Sequence, residues 1–161
     1  MRLEEATTIA ERDKGTLSPC CEKVEIAGSI RRRKPIVHDI DVVLIEKPEA
    51  ALVMNSLIAS IGKVELNGGK IKRLWYGDKQ TGISIDIYIA MPETWATLLL
   101  IRTGSKENNI RLATIAKRRG WQLKASGDGL FNGKVEKIAG ETEQSIYEAL
   151  GIPYQQPEKR G

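Results

Sequence analysis

The stretch that decides the fold begins at Gly28-Ser29, passes a basic knot at Arg31-Arg32-Arg33-Lys34, and continues into Asp39-Ile40-Asp41-Val42-Val43-Leu44-Ile45. Its last part is a β-branched apolar run, which predicts a strand. Side chains alternate across a strand, so Asp39 and Asp41 share one face while Ile40, Val42 and Leu44 point into a core. Val24, Ile26 and Gly28 suggest a short strand just before it. A strand that ends in Gly-Ser and turns offers backbone N–H groups and a hydroxyl to a phosphate, and the arginines that follow supply bidentate partners. In isolation the basic knot reads as a localisation signal or a solvated face, and an Asp-x-Asp as surface decoration. Their adjacency is what turns both toward a binding site for a polyphosphate.

Working outward, Leu3, Ala6, Ile9 and Ala10 have helical spacing, which predicts a helix over 2–13 closed by Gly15 and Pro19. A second helix is predicted from Pro48 to Ile58. Asn67-Gly68-Gly69 between two extended runs is a hairpin signal. Ile83, Ile85, Ile87 and Ile89 alternate with Ser84, Asp86 and Tyr88, the clearest strand in the chain. Beyond Pro92 come a helix over 93–100, a helix capped by Ser105 and stopped by Gly120, short strands within 121–138 and a helix over 145–150. The reading is an α+β (mixed α/β) fold: a sheet lobe over 1–91 and a small basic lobe over 92–161.

A chain of 161 residues has room for one domain or two small lobes. No stretch approaches a membrane span, and acidic residues stand where a secretory signal would be apolar, so a non-secreted, cytoplasmic or otherwise intracellular protein is expected. The only cysteines, Cys20 and Cys21, are adjacent, and His38 is the only histidine. A Cys₄ or Cys₂His₂ zinc site is therefore impossible and triad chemistry is disfavoured. The net charge is only +4, yet residues 101–125 carry seven basic residues against the single acid Glu107. That concentration points to a polyanion along the second lobe.

If the strands bearing Asp39, Asp41 and Asp86 are neighbours, three carboxylates converge, and each pair about 4 Å apart repels by about 4 kcal/mol at an effective dielectric near 20. A divalent cation removes that cost, and oxygen-only ligands suit Mg²⁺. Gly-Ser, a cationic turn, Asp-x-Asp and a third Asp on a strand together describe a nucleotidyltransferase palm working with two metal ions. There is no Walker A loop or Gly-x-Gly-x-x-Gly to suggest another nucleotide site.

Gly28-Ser29 with Arg32, Asp39-Ile40-Asp41, Ile85-Asp86-Ile87, Thr103-Gly104-Ser105-Lys106-Glu107-Asn108-Asn109 and Tyr147-Glu148-Ala149-Leu150-Gly151-Ile152-Pro153-Tyr154 together resemble the palm and thumb of family X DNA polymerases, the DNA polymerase beta group. The resemblance spans roughly residues 2–160. It implies that Asp39 and Asp41 hold two Mg²⁺ (or Mn²⁺) ions and that Asp86 holds the catalytic one and helps deprotonate a primer 3′-hydroxyl. It further implies that Gly28, Ser29 and Arg32 grip the triphosphate, that Gly104 lies against the incoming sugar, and that Asn109 touches the minor-groove edge of the base. Ser105, Lys106 and Arg111 would follow the DNA backbone, and His38 resembles the terminal-transferase-like branch, its bland reading being simple packing.

The departures are as informative. Ile101-Arg102 stands where many relatives carry an aromatic pair, and Arg102 is expected to swing toward phosphate or solvent and loosen sugar selection. Ser84 and Tyr88 flank Asp86 where some relatives have arginines, and Ala113 replaces an arginine. A minimal palm-and-thumb form is expected, without the family's N-terminal lyase domain or an appended phosphoesterase domain. The function implied is transfer of deoxynucleotides from dNTPs to a DNA primer, in short gap-filling repair, by a monomer acting on primer-template or gapped DNA away from membranes. The alternatives are a template-independent terminal transferase, a nucleotidyltransferase with another acceptor, and a nonenzymatic DNA-end binding module.

Overall fold

In the computed structural model, which describes residues 1–161, the chain opens with helix α1 (Leu3–Leu17). It runs through Gly15 instead of stopping there, because open space surrounds that glycine and a following 3-10 turn (Ser18–Cys20) makes the exit. Strand β1 (Cys21–Ile26), the one-turn helix α2 (Gly28–Arg31), strand β2 (Asp39–Glu46), helix α3 (Ala51–Ile61), the hairpin β3 (Lys63–Asn67) and β4 (Ile71–Tyr76), and strand β5 (Ile83–Ile89) follow. Sequence reading took the Gly28-Ser29 segment as an open turn. It winds into α2 because Arg31 N and Arg32 N bond back to the carbonyls of Ala27 and Gly28.

These strands form one mixed sheet in the order β1-β2-β5-β4-β3, with β2 and β5 parallel and the other pairs antiparallel. Strand parity assigns its two faces. Ile40, Val42, Leu44, Ile85 and Ile87 join Ala6, Ala10, Met54 and Ile58 of α1 and α3 in the larger core. On the opposite face Val43, Ile45 and Tyr88 pack with Ala27, Ala90, Leu98 and Leu99. This second face also carries Asp39, Asp41 and Asp86, so the carboxylates lie where apolar packing gives way to a cleft.

Helix α4 (Trp95–Thr103) covers that face and leads into α5 (Lys106–Arg118), strands β6 (Gln122–Lys124), β7 (Gly129–Phe131) and β8 (Lys137–Ala139), and α6 (Glu143–Ala149). Leu100, Leu112, Ala116, Leu130, Ile146 and Tyr147 build a separate core here. Ser105 caps α5 by accepting from Asn108 N at 3.2 Å, as its position predicts.

A polar latch joins the two halves. Arg31 donates to Thr103 Oγ1 at 2.8 Å and to Glu143 Oε1 at 2.6 Å, while Arg160 donates to Glu143 Oε2 at 2.6 Å. Arg160 also reaches Gln155 O at 2.9 Å and Tyr154 Oη at 3.2 Å, and its carbonyl accepts from Ser105 N at 3.2 Å and from Ser105 Oγ. No helix is long and apolar enough to cross a membrane.

Candidate active site

Parallel pairing of β2 with β5 sets Asp41 directly opposite Asp86, and Asp39 opposite Ser84. Above Asp39 and Asp41 opens a cavity of about 460 Å³ whose lining includes Gly28, Ser29, Arg32, Tyr88, Arg102, Gly104, Lys106 and Asn109. Eight residues singled out from sequence thus meet around one space: Gly28, Ser29, Arg32, Asp39, Asp41, Gly104, Lys106 and Asn109.

Two glycines shape its walls. Gly28 has φ +58° and sits so close to Asp41 that a Cβ there would overlap the carboxylate. Gly104 has φ +73°, and a Cβ would come within 3.0 Å of Arg32 Nη1. Asp41 is pushed up to about 7, first by burial, then by the charges of Asp39 and Asp86, with Tyr88 and Arg102 opposing. Burial lowers Arg32 from its ordinary value against the pull of Asp41, Glu107 and Asp39.

Buried polar atoms ordinarily find partners, and those that lack them mark places where something else binds. Six such side-chain atoms are unpartnered, and four of them, Ser29 Oγ, Arg32 Nε, Arg102 Nε and Asn109 Oδ1, belong to residues lining this cavity. Three carry donor hydrogens, and the fourth is a carbonyl-type acceptor. An anionic ligand that also presents a donor would satisfy the set.

The third carboxylate differs from expectation. Asp86 lies beside Asp41 but does not complete a ligand set: no three His, Cys, Asp or Glu side chains converge closely enough to hold a cation. Asp86 is instead paired with Arg73 on β4, whose Nε and Nη2 donate to its two oxygens at 2.6 and 2.8 Å. The donor chemistry nevertheless fits a divalent cation, since Asp41 is destabilised as an anion by its acidic neighbours and Gly28 leaves its carboxylate room.

Other residues fall elsewhere. His38 is exposed and lines a different depression with Met1, Glu5 and Thr81. Arg111 lies apart from the cavity and donates to Gln155 Oε1 at 2.9 Å. The Ser105 hydroxyl is committed to capping α5 and to the Arg160 carbonyl. Arg102 does not swing out: its guanidinium stacks 4.1 Å over the Tyr88 ring, and its segment is pinned by Asn109 Nδ2 on Ile101 O at 2.8 Å and by Arg32 on Thr103 O. Arg73 was missed because its strand partner was not known. The signal available was a cation on the hairpin strand feeding the Asp86 strand.

A family model, DNA polymerase beta thumb, matches residues 98–161. The chain is 30% identical over 141 residues to DNA polymerase/3'-5' exonuclease PolX of Bacillus subtilis, covering 86% of this chain and 24% of that protein. The chain is thus similar to the family X DNA polymerases over most of its length. DNA polymerase lambda of Rattus norvegicus is 27% identical over 159 residues, covering 83% of this chain and 28% of its own length. The chain thus spans about a quarter of the length of these family X relatives. Two Leishmania infantum polymerase beta structures share the fold: a ternary gap complex at TM-score 0.80 and 19% identity, covering 99% of this chain and 70% of that one, and a ternary P/T complex at TM-score 0.79 and 20% identity, covering 100% and 76%. The family resemblance read from the sequence is confirmed, together with a mixed α+β fold of palm-plus-thumb form.

Proposed function

We propose that the chain is a DNA polymerase module that transfers deoxynucleotides from dNTPs to a primer 3′-hydroxyl, with residues 1–91 as palm and 92–161 as thumb. The observation that carries this reading is the cavity beside Asp39 and Asp41, around which four buried polar atoms await a partner. Ser29 and Arg32 bind the triphosphate, their unpartnered Oγ and Nε supplying donors. Gly104 lets the sugar approach the backbone, and the Asn109 oxygen faces the base. Lys106 and the cations of α5 follow DNA phosphates, whose contacts dominate affinity.

Asp39 and Asp41 would hold two divalent cations, with Asp86 joining the catalytic one. Bound there, Mg²⁺ or Mn²⁺ supplies charge neutralisation at the triphosphate and activation of the primer hydroxyl. Asp41 meanwhile gives up the proton that burial and its acidic neighbours favour. The polymerase beta structures, a gap complex and a P/T complex, support gapped or primer-template DNA as the substrate; the proposed setting is short gap filling by a monomer inside the cell.

Primer extension with and without template, and with and without Mg²⁺, tests the proposal. Templated addition that needs the metal is expected. Addition that ignores the template would favour terminal transfer, and DNA binding with no incorporation under any condition would favour an end-binding module.

A further inference from the structure

The strongest unexplained contact at the site is the one between Asp86 and Arg73. Arg73 and Asp86 are directly paired across β4 and β5, so the guanidinium needs no long reach. Its fork takes both carboxylate oxygens at 2.6 and 2.8 Å, and the Tyr88 hydroxyl stands 3.5 Å from Oδ2. Asp86 itself is 5% exposed, whereas the Arg73 side chain is 42% exposed. The acid is therefore fixed in the sheet and its cation faces water, free to leave. Neither strand neighbour of Asp86 on its own face supplies a cation, since these are Ser84 and Tyr88. The next residue on β4, Lys72, is on the other face and occupied by Asn55 and Asn67.

We propose that Arg73 is the positioning residue for Asp86, holding its carboxylate away from Asp39 and Asp41 until a divalent cation displaces the guanidinium. Arg73 thereby sets the affinity of the acidic cavity for its cation. The inference rests on the polymerase reading of that cavity. An arginine suits this task because its planar fork fixes both oxygens, which a lysine, a single mobile point charge, does not.

Mn²⁺ binding without DNA or nucleotide, followed by titration calorimetry or by the loss of the free-ion electron paramagnetic resonance signal, tests it. The proteins compared are the wild type, Arg73→Lys, Arg73→Gln, Asp41→Asn and the pair of variants Asp86→Asn with and without Arg73→Lys. Arg73→Lys keeps the charge and loses the fork, and it is expected to bind Mn²⁺ about fivefold tighter than wild type, the size of a half-exposed ion pair. Arg73→Gln is expected to gain about tenfold, because the competing charge is gone as well. In the Asp86→Asn background Arg73→Lys should change nothing. A lysine variant equal to wild type beside a tighter glutamine variant would reduce Arg73 to a distant repelling charge and overturn the proposal. So would equal or weaker binding by both, or a lysine effect that survives Asp86→Asn. Asp41→Asn separates the two readings: unchanged Mn²⁺ binding there would sink the metal-site assignment itself, whatever Arg73 does.

Discussion

Arg31 and Arg32 are consecutive residues of one basic knot, yet they serve two regions that differ in a single physical respect. Arg31 is spent inside the protein: Thr103 and Glu143 take its guanidinium, and Glu143 is shared with the buried Arg160. Arg32 bonds to the Thr103 carbonyl and still keeps a buried Nε without a partner at the cavity wall. The latch is thus a closed polar network that fixes one half of the molecule against the other, whereas the cavity is an open one. Closed networks confer rigidity and are costly to break, and open ones mark where a ligand is expected. The runs of charge in the sequence look alike in both roles, and only the partners separate them.

The largest expected effect breaks the open side of that comparison. Asp41→Ala or Asp86→Ala should lower nucleotide incorporation by about a thousandfold or more, equivalent to about 4 kcal/mol in the barrier, because each removes an acid from the proposed metal site. Circular dichroism and thermal melting should find the fold intact. Incorporation by either variant near the wild-type rate would remove the carboxylates from the chemistry.

Glu143→Ala breaks the closed side. It leaves the Arg160 guanidinium, whose side chain is fully buried, without its carboxylate and also frees Arg31. Removing one member of a buried ion pair costs about 3 kcal/mol, so denaturant melting should detect a clear loss of stability. Arg32→Ala should do the reverse, weakening dNTP binding while leaving the melting curve near wild type. Equal stability losses in the two variants would erase the distinction between latch and cavity.

Much of this was readable in the chain, and the unreadable part has one cause. Alternation along 39–45 and 83–89 placed the three acids on strands, and Gly28-Ser29 with Gly104 marked the cavity walls. Those are properties of residues near one another in sequence. The Arg73–Asp86 pair, the stacking of Arg102 on Tyr88 and the Arg31–Glu143–Arg160 latch each join residues from separate elements. Their existence depends on which strands are neighbours and on how α4 lies across the sheet. Gly15 inside α1 shows the same limit locally: helix propensity counts against glycine, and packing of Ala6, Ala10 and Leu17 outweighs it.

A smaller effect follows from charge within the open region. Asp41 takes up a proton more readily in the folded chain, near 7, than at its ordinary 3.8. Its folded-state value is raised, so the folded chain binds more protons over that window, and stability falls as pH rises from about 4 through 7 in the absence of divalent ions. The loss should be about 2 to 4 kcal/mol. Asp41→Asn should flatten the curve in chelator-treated protein. A wild-type stability that rises over this range would contradict the crowding of the three acids.

The smallest expected effect concerns the seam where both regions meet, the backbone from Ile101 to Gly104. The family resemblance implies that this segment faces the ribose 2′ position and that aromatic rings stiffen it in many relatives. Here the rings are absent, which from sequence suggested a loose gate open to ribonucleotides. The structure stiffens it by other means: Asn109 Nδ2 holds the Ile101 carbonyl at 2.8 Å, Arg32 holds that of Thr103, and Arg102 is stacked on Tyr88 at 4.1 Å. Hydrogen bonds to two carbonyls restrain a backbone as effectively as packed rings, so the wild type should keep a strong preference for the deoxy form. Asn109→Ala removes one of the two tethers while leaving the carboxylates untouched. A net hydrogen bond is worth about 1 kcal/mol, so the deoxy-to-ribo ratio of single-nucleotide incorporation rates should fall about five- to tenfold in the variant. Arg102→Ala, which loses the stack and keeps both tethers, should shift the ratio less. If Arg102→Ala relaxes sugar choice and Asn109→Ala does not, the stacked cation rather than the tethered backbone sets the gate.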